Sequence, residues 1–159
     1  MALTETITAW FDRNRAKREE RNTRTVLADG YRELARLANQ LKLHAEKAPY
    51  PFVEERLKEM AAEKEKSSAR LFEEVERLGG RVAKFDSSIP SGRNHWDRMR
   101  QDVEDQKRVE ARLVDDVSYL ALEAPEQSQL LRRLVEVERR HNKALTDLLV
   151  RADPQAEQT

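Results

Sequence analysis

Residues 51–80 read PFVEERLKEMAAEKEKSSARLFEEVERLGG, and the spacing within this stretch decides the fold. Val53, Leu57, Met60, Leu71, Val75 and Leu78 recur three and four positions apart, so they share one face of an α-helix. Gly79-Gly80 closes the run with a helix stop that uses glycine's access to left-handed backbone geometry. The spacing predicts one long helix from about Pro51 to Leu78. At its middle the apolar stripe is broken, because Lys64 and Ser67 occupy positions that face the core.

Outward from this helix the same pattern repeats. On the amino-terminal side Leu27, Tyr31, Leu34, Ala38, Leu41 and Ala45 give a nearly unbroken stripe and a predicted helix from about Arg24 to Ala48. Ala48-Pro49-Tyr50-Pro51 ends it, since proline disfavours helical geometry in the residue before it and cannot donate a backbone hydrogen bond. On the carboxyl-terminal side residues 79–94, with Ser87, Ser88, Pro90, Ser91 and Gly92, read as irregular, and Asn94 as the N-cap of a third helix from His95 to about Glu123. Its stripe is Trp96, Met99, Val103, Gln106, Glu110, Leu113, Val117 and Leu120, polar at the centre. Ala124-Pro125 breaks the chain again before a fourth helix over about Glu126 to Ala152, with Leu131, Leu134, Glu138, His141, Leu145 and Leu148 inward.

The fold class is therefore all-α, a four-helix bundle over 24–152, preceded by a short amphipathic helix over 1–23 and followed by a disordered tail over 153–159. Connections run short, long, short. Short links force antiparallel neighbours. A 16-residue connection can extend to roughly 50 Å, more than the roughly 40 Å length of such helices. An up-down-down-up bundle with a long crossover between helices two and three is expected; a connection that folds back on itself would give up-down-up-down instead.

Three helices place polar residues at about the same height, which brings Lys64, Ser67, Gln106, Glu110, Glu138 and His141 together as a buried polar cluster. Burying such groups is costly unless they pair, so the cluster requires mutual hydrogen bonds, water or a metal ion.

Several of these residues resemble a known family. Leu43-His44-Ala45, the run Glu63-Lys64-Glu65-Lys66-Ser67-Ser68-Ala69-Arg70-Leu71 closing in Leu78-Gly79-Gly80, and Glu138-Arg139-Arg140-His141 are similar to bacterioferritins, rubrerythrins and other members of the ferritin-like superfamily, over about residues 24–150. The resemblance implies a di-iron site with one glutamate from each of helices one and three and a Glu-x-x-His pair from each of helices two and four. Carried across, the second-helix pair falls on Lys64 and Ser67, so both ligands are gone. The first-helix glutamate falls near Leu34, with Glu33 pointing off the stripe, and the third offers Asp105, Gln106 or Glu110. Glu138 and His141 keep the fourth-helix pair. A degenerate di-iron site is what the resemblance implies.

Three readings follow for Lys64. Its ammonium can pair with Glu138 or Glu110 where a cation would otherwise sit. A residual metal site, holding iron, can survive on Glu138, His141 and Glu110, with Asp105 or Glu63 in support. Or the register is one residue off, Lys64 snorkels to the surface, and Glu138 and His141 are an ordinary surface pair. His44 and His95, near helix ends, read as residues that bond backbone carbonyls or cap, and Glu73, Glu74 and Glu76 with Arg70 and Arg77 as a solvated outer face.

Composition excludes more than it assigns. Thirty Lys plus Arg against thirty Asp plus Glu leave no net field toward nucleic acid, membrane or acidic substrate. No cysteine means no disulfide or thiolate site, in keeping with a reducing compartment, and cytoplasmic localisation is expected. No 18-residue apolar window or secretion signal at Met1-Ala2-Leu3-Thr4-Glu5 is present. No nucleophile with a base at motif spacing, phosphate loop or zinc pattern occurs. In the amino-terminal helix Ile7, Trp10 and Phe11 precede Arg13, Arg15, Lys17, Arg18, Arg21 and Arg24; packing on the bundle or on a second subunit is preferred to nucleic-acid or membrane binding, because Asp12, Glu19 and Glu20 dilute the charge. The expected function is a non-catalytic ferritin-like protein that has lost its ferroxidase centre, holds no cofactor, and acts as a structural or interaction module in a homo-oligomer, a dimer or larger. The alternative is an iron-binding oxidase or iron-handling protein with a rebuilt site.

Overall fold

The computed structural model of the chain describes residues 7–9, 22–84, 88–89 and 91–153. Four long helices dominate it: α1 (Thr23–Glu46), α2 (Pro51–Arg77), α3 (His95–Leu120) and α4 (Pro125–Arg151). Among the described residues there is no strand.

Local chemistry fixes the helix ends. The Asn22 side chain accepts a hydrogen bond from the Thr25 N–H at 2.9 Å, and Asn94 from that of Asp97 at 2.8 Å, each satisfying a donor that a helix start leaves unpaired. Pro51 and Pro125 open α2 and α4, where a missing N–H costs nothing. Beyond α2, Gly79 takes a φ of 76°, and two 2.9 Å bonds, Gly80 N–H to the Val75 carbonyl and Gly79 N–H to that of Glu76, close the end. The third helix ends at Leu120 rather than near Glu123, since residues 121–123 form a turn closed by a 2.9 Å bond from the Ala124 N–H to the Leu120 carbonyl.

The main packed pairs are α1 with α2 and α3 with α4; α1 also packs on α3, and α2 meets α4 over a short stretch. Gln40 and His44 of α1 bond Asp105 and Asp102 of α3, while Asp29 and Glu33 bond Arg112 farther along. Between α2 and α4, Glu63 meets His141 and Glu74 meets Gln127. Gly30 lets α1 approach α2 closely, because a Cβ there would stand 3.1 Å from Leu71 Cδ1.

The apolar core falls into two clusters. One surrounds Leu27, Leu34, Leu71, Leu113 and Leu131; the other surrounds Leu41, Leu57, Met60, Met99 and Leu145. Each fully buried leucine contributes on the order of 2 kcal/mol through removal from water. The polar residues Gln40, Lys64, Gln106 and Glu138 have no solvent exposure and occupy sequence positions between the two clusters on their helices.

The expected amino-terminal helix over 1–23 lies outside the described residues except for 7–9, which are helical and exposed, and 22–23, where α1 begins. Apart from Asp153 the expected tail over 153–159 also lies outside them. Among the described residues no helix is long and apolar enough to cross a membrane.

Candidate functional site

Lys64 stands near the middle of α2, held inward by the spacing that buries Leu57, Met60, Leu71 and Val75 on the same face. Its side chain is wholly removed from solvent. Nζ donates to Gln106 Oε1 at 2.6 Å and to Glu138 Oε2, and lies 3.1 Å from His141 Nδ1. An ammonium carries three protons, and three acceptors from α3 and α4 surround this one.

The remaining bonds orient the acceptors. Gln106 Nε2 donates to Glu138 Oε2 at 2.7 Å and to the Glu138 carbonyl at 3.0 Å. Nε2 of His141 lies 3.1 Å from Glu63 Oε2, so a ring with its proton on Nε2 would accept from Lys64 at one nitrogen and donate to Glu63 at the other. His141 Nδ1 is 3.6 Å from Glu138 Oε1, beyond hydrogen-bond distance. Glu138 Oε1 is therefore left as a buried acceptor with no hydrogen-bond partner among the described residues.

Electrostatics follow from burial and proximity. Burial pushes the Lys64 ammonium below its ordinary value, and the charge and hydrogen bond of Glu138 work against that. Burial also pushes the Glu138 carboxyl up, but the Lys64 charge, the neighbouring His141 and the Lys64 hydrogen bond outweigh it and hold the group at about 2. The two shifts describe one pair: a carboxylate kept charged by an ammonium that burial disfavours.

No family model matches the chain, and no curated protein sequence matches it.

Of the six residues expected to meet here, Lys64, Gln106, Glu138 and His141 are brought together. Ser67 is buried one turn along α2 but bonds none of them. Glu110 does not join the buried cluster: half-buried at its edge, it accepts from Asn142 Nδ2 at 2.9 Å and lies 3.6 Å from Arg139. The reason is helical register, since a step from 106 to 110 overshoots a full turn and leaves Val109 and Leu113 facing the core. The surface alternative for Lys64 is overturned by its burial.

The iron that the sequence resemblance implies does not fit these residues. Oε2 of Glu138 and Nδ1 of His141 both face the ammonium, leaving only Oε1 of Glu138 unpartnered, and a charged lysine repels a cation. Among the described residues no group of three or more His, Asp or Glu side chains is placed to hold a metal ion.

A second buried polar group adjoins the first along α1 and α3. Gln40 Nε2 donates to Asp102 Oδ1 at 2.7 Å and to Asp105 Oδ2 at 3.0 Å, and His44 Nδ1 lies 2.8 and 2.9 Å from the Asp102 oxygens. Burial raises the Asp102 carboxyl, against the hydrogen bonds of His44 and Gln40. His44 is thus no helix-end cap, and His95 is likewise buried, its ring shifted down by burial and by the Arg98 charge. Asp102 and Gln40 carried no expectation. The signal for them was their position beside Val103 and Leu41, because a bundle helix buries a face wider than one residue per turn.

Proposed function

We propose that this chain is a ferritin-like four-helix bundle in which a buried ion pair occupies the place of the metal centre, and that it acts as a non-catalytic structural or interaction module, self-associating in a reducing compartment such as the cytoplasm. The observation that carries the reading is Lys64, whose three protons meet Gln106, Glu138 and His141. The pairing of helices supports the up-down-down-up order. Contacts of α1 with α2 and α3, and of α4 with α2 and α3, join residues that run in opposite directions, as expected when the long connection crosses the bundle.

The competing reading is an iron-handling oxidase rebuilt on Glu138, His141 and Glu110, with dioxygen or peroxide as oxidant. The unpartnered Oε1 of Glu138 is the one observation in its favour. Elemental analysis separates the two, on protein purified without chelator and again after anaerobic ferrous loading and desalting. The ion-pair reading expects no retained iron. Near-stoichiometric iron that disappears in Glu138→Ala and His141→Ala would replace it with the oxidase.

A further inference from the structure

Where α2 begins and α4 ends, the two helices leave an open groove of about 870 Å³. Phe52, Ala144, Leu148 and Val150 supply its apolar surface. Phe52 is 53% and Val150 78% exposed, and Tyr50 stacks on Phe52 with ring centroids 5.7 Å apart, so the groove opens beside a ledge of aromatic surface. Cations surround it: Arg56, Arg140, Lys143 and Arg151 against Asp147 give four positive charges and one negative, a lining of +3. Arg56 and Arg151 meet Glu59 and Asp147 in exposed pairs at 3.0 and 3.3 Å, which exchange readily for another carboxylate. Among the described residues Lys143 has no carboxylate within ion-pair distance.

The chain itself carries a segment of matching chemistry. Residues 1–12 contain Leu3, Ile7, Trp10 and Phe11 at the spacing by which an amphipathic helix anchors in a groove. Their only charged side chains are Glu5 and Asp12, giving −2 against the groove's +3. The basic residues begin at Arg13. Ile7, the one anchor residue among the described residues, is 53% exposed on its own chain.

We propose that residues 1–12 of one copy dock in the α2/α4 groove of a second copy, with Trp10 and Phe11 on the apolar floor and Glu5 and Asp12 against the Arg140 and Lys143 side. A helical link would favour a second copy over the same one. Asn22 lies at the opposite end of the bundle, beside Leu78 and Ala124, and α1 with its 24 residues spans about 36 Å. Continued as the helix expected from the sequence, the eleven residues from Phe11 to Asn22 would cover about 16 Å, short of the groove. A fully extended link of about 40 Å would reach it, and that is the outcome Trp10 fluorescence reads. Segment and groove are different surfaces, so the contact is heterologous: two copies exchanging segments close a dimer, and one-way docking grows a ring or chain. This inference rests on the interaction half of the functional reading and not on the lysine cluster, so iron loading does not bear on it.

The test is sedimentation of the full-length chain over a range of concentrations, alone and as two variants, Trp10→Ala/Phe11→Ala and Val150→Asp, each checked for an unchanged helical melt. Wild type is expected to self-associate, less tightly as salt rises. Each variant is expected to weaken association at least about tenfold. Mixing the two variants restores a hetero-complex, because one keeps the groove and the other the anchor. A wild type that stays monomeric at concentrations on the order of 100 μM would overturn the proposal. So would variants that associate like wild type, or a mixture that fails to recover. Trp10 fluorescence already shifted to the blue in a dilute monomer would place the segment on its own chain and overturn it equally.

Discussion

Lys64→Met removes the ammonium while keeping a side chain of similar length, and isolates what the buried pair contributes. In the variant Glu138 keeps one side-chain donor, Gln106 Nε2 at 2.7 Å, and its Oε1 remains unpartnered in a site with no solvent exposure. Stripping one member from a buried pair costs about 3 to 5 kcal/mol, because the other charge stays buried. The carboxylate's own net shift, to which Lys64 and His141 contribute against burial, is of the same order. The gap between its ordinary 4.5 and about 2 in the fold corresponds to roughly 3 kcal/mol at neutral pH. Urea unfolding followed by circular dichroism at pH 7 measures it, with an unchanged slope confirming that only stability has moved. Lys64→Met/Glu138→Leu should recover most of the loss, since replacing both charges by apolar groups is often neutral or better. A Lys64→Met midpoint within about 1 kcal/mol of wild type would refute the ion pair, and a double variant worse than both singles would refute the reasoning about an isolated carboxylate.

Glu138 and Asp102 set pH dependences of opposite sign. Glu138 has a depressed folded value, so its stabilisation is present above 4.5 and is lost as pH falls toward 2; Glu138→Gln should show a shallower acid limb in the stability profile over that window. Asp102 has a raised folded value, so protonation favours the fold between 3.8 and that value, and wild type should gain stability relative to Asp102→Asn as pH falls from neutral; a wild type that instead loses stability relative to the variant would contradict the assignment. Asn94→Ala deletes the 2.8 Å cap on Asp97 and should cost about 1 kcal/mol in the same urea assay. Arg112→Ala, which breaks the partly exposed links to Glu33 and Asp29, should cost under about 1 kcal/mol despite removing two ion pairs.

The helices were legible because proline, glycine and asparagine punctuate a regular stripe. Asn94 caps α3 as its sequence context indicates, and Gly79-Gly80 ends α2. The meeting of Lys64 with Glu138 and His141 was also legible, since three stripes break at one height. The α1 contribution was not. Reading one residue per turn selected Leu41 and Ala45 and passed over Gln40 and His44, which share the wider inward face with them. Glu110 erred the other way, placed inward by a spacing of four that carries it to the flank of α3, where Asn142 meets it. Partners of buried polar groups are decided by neighbouring helices, and no periodicity within one helix identifies them.

The most direct measurement is nitrogen-detected NMR of the lysine side-chain groups at neutral pH, in wild type and in Lys64→Met. A protonated ammonium enclosed by three acceptors should give one slowly exchanging resonance that is absent from the variant and unchanged by ferrous iron. A neutral amine, or no protected resonance at all, would contradict the claim that a lysine charge holds the centre of this bundle.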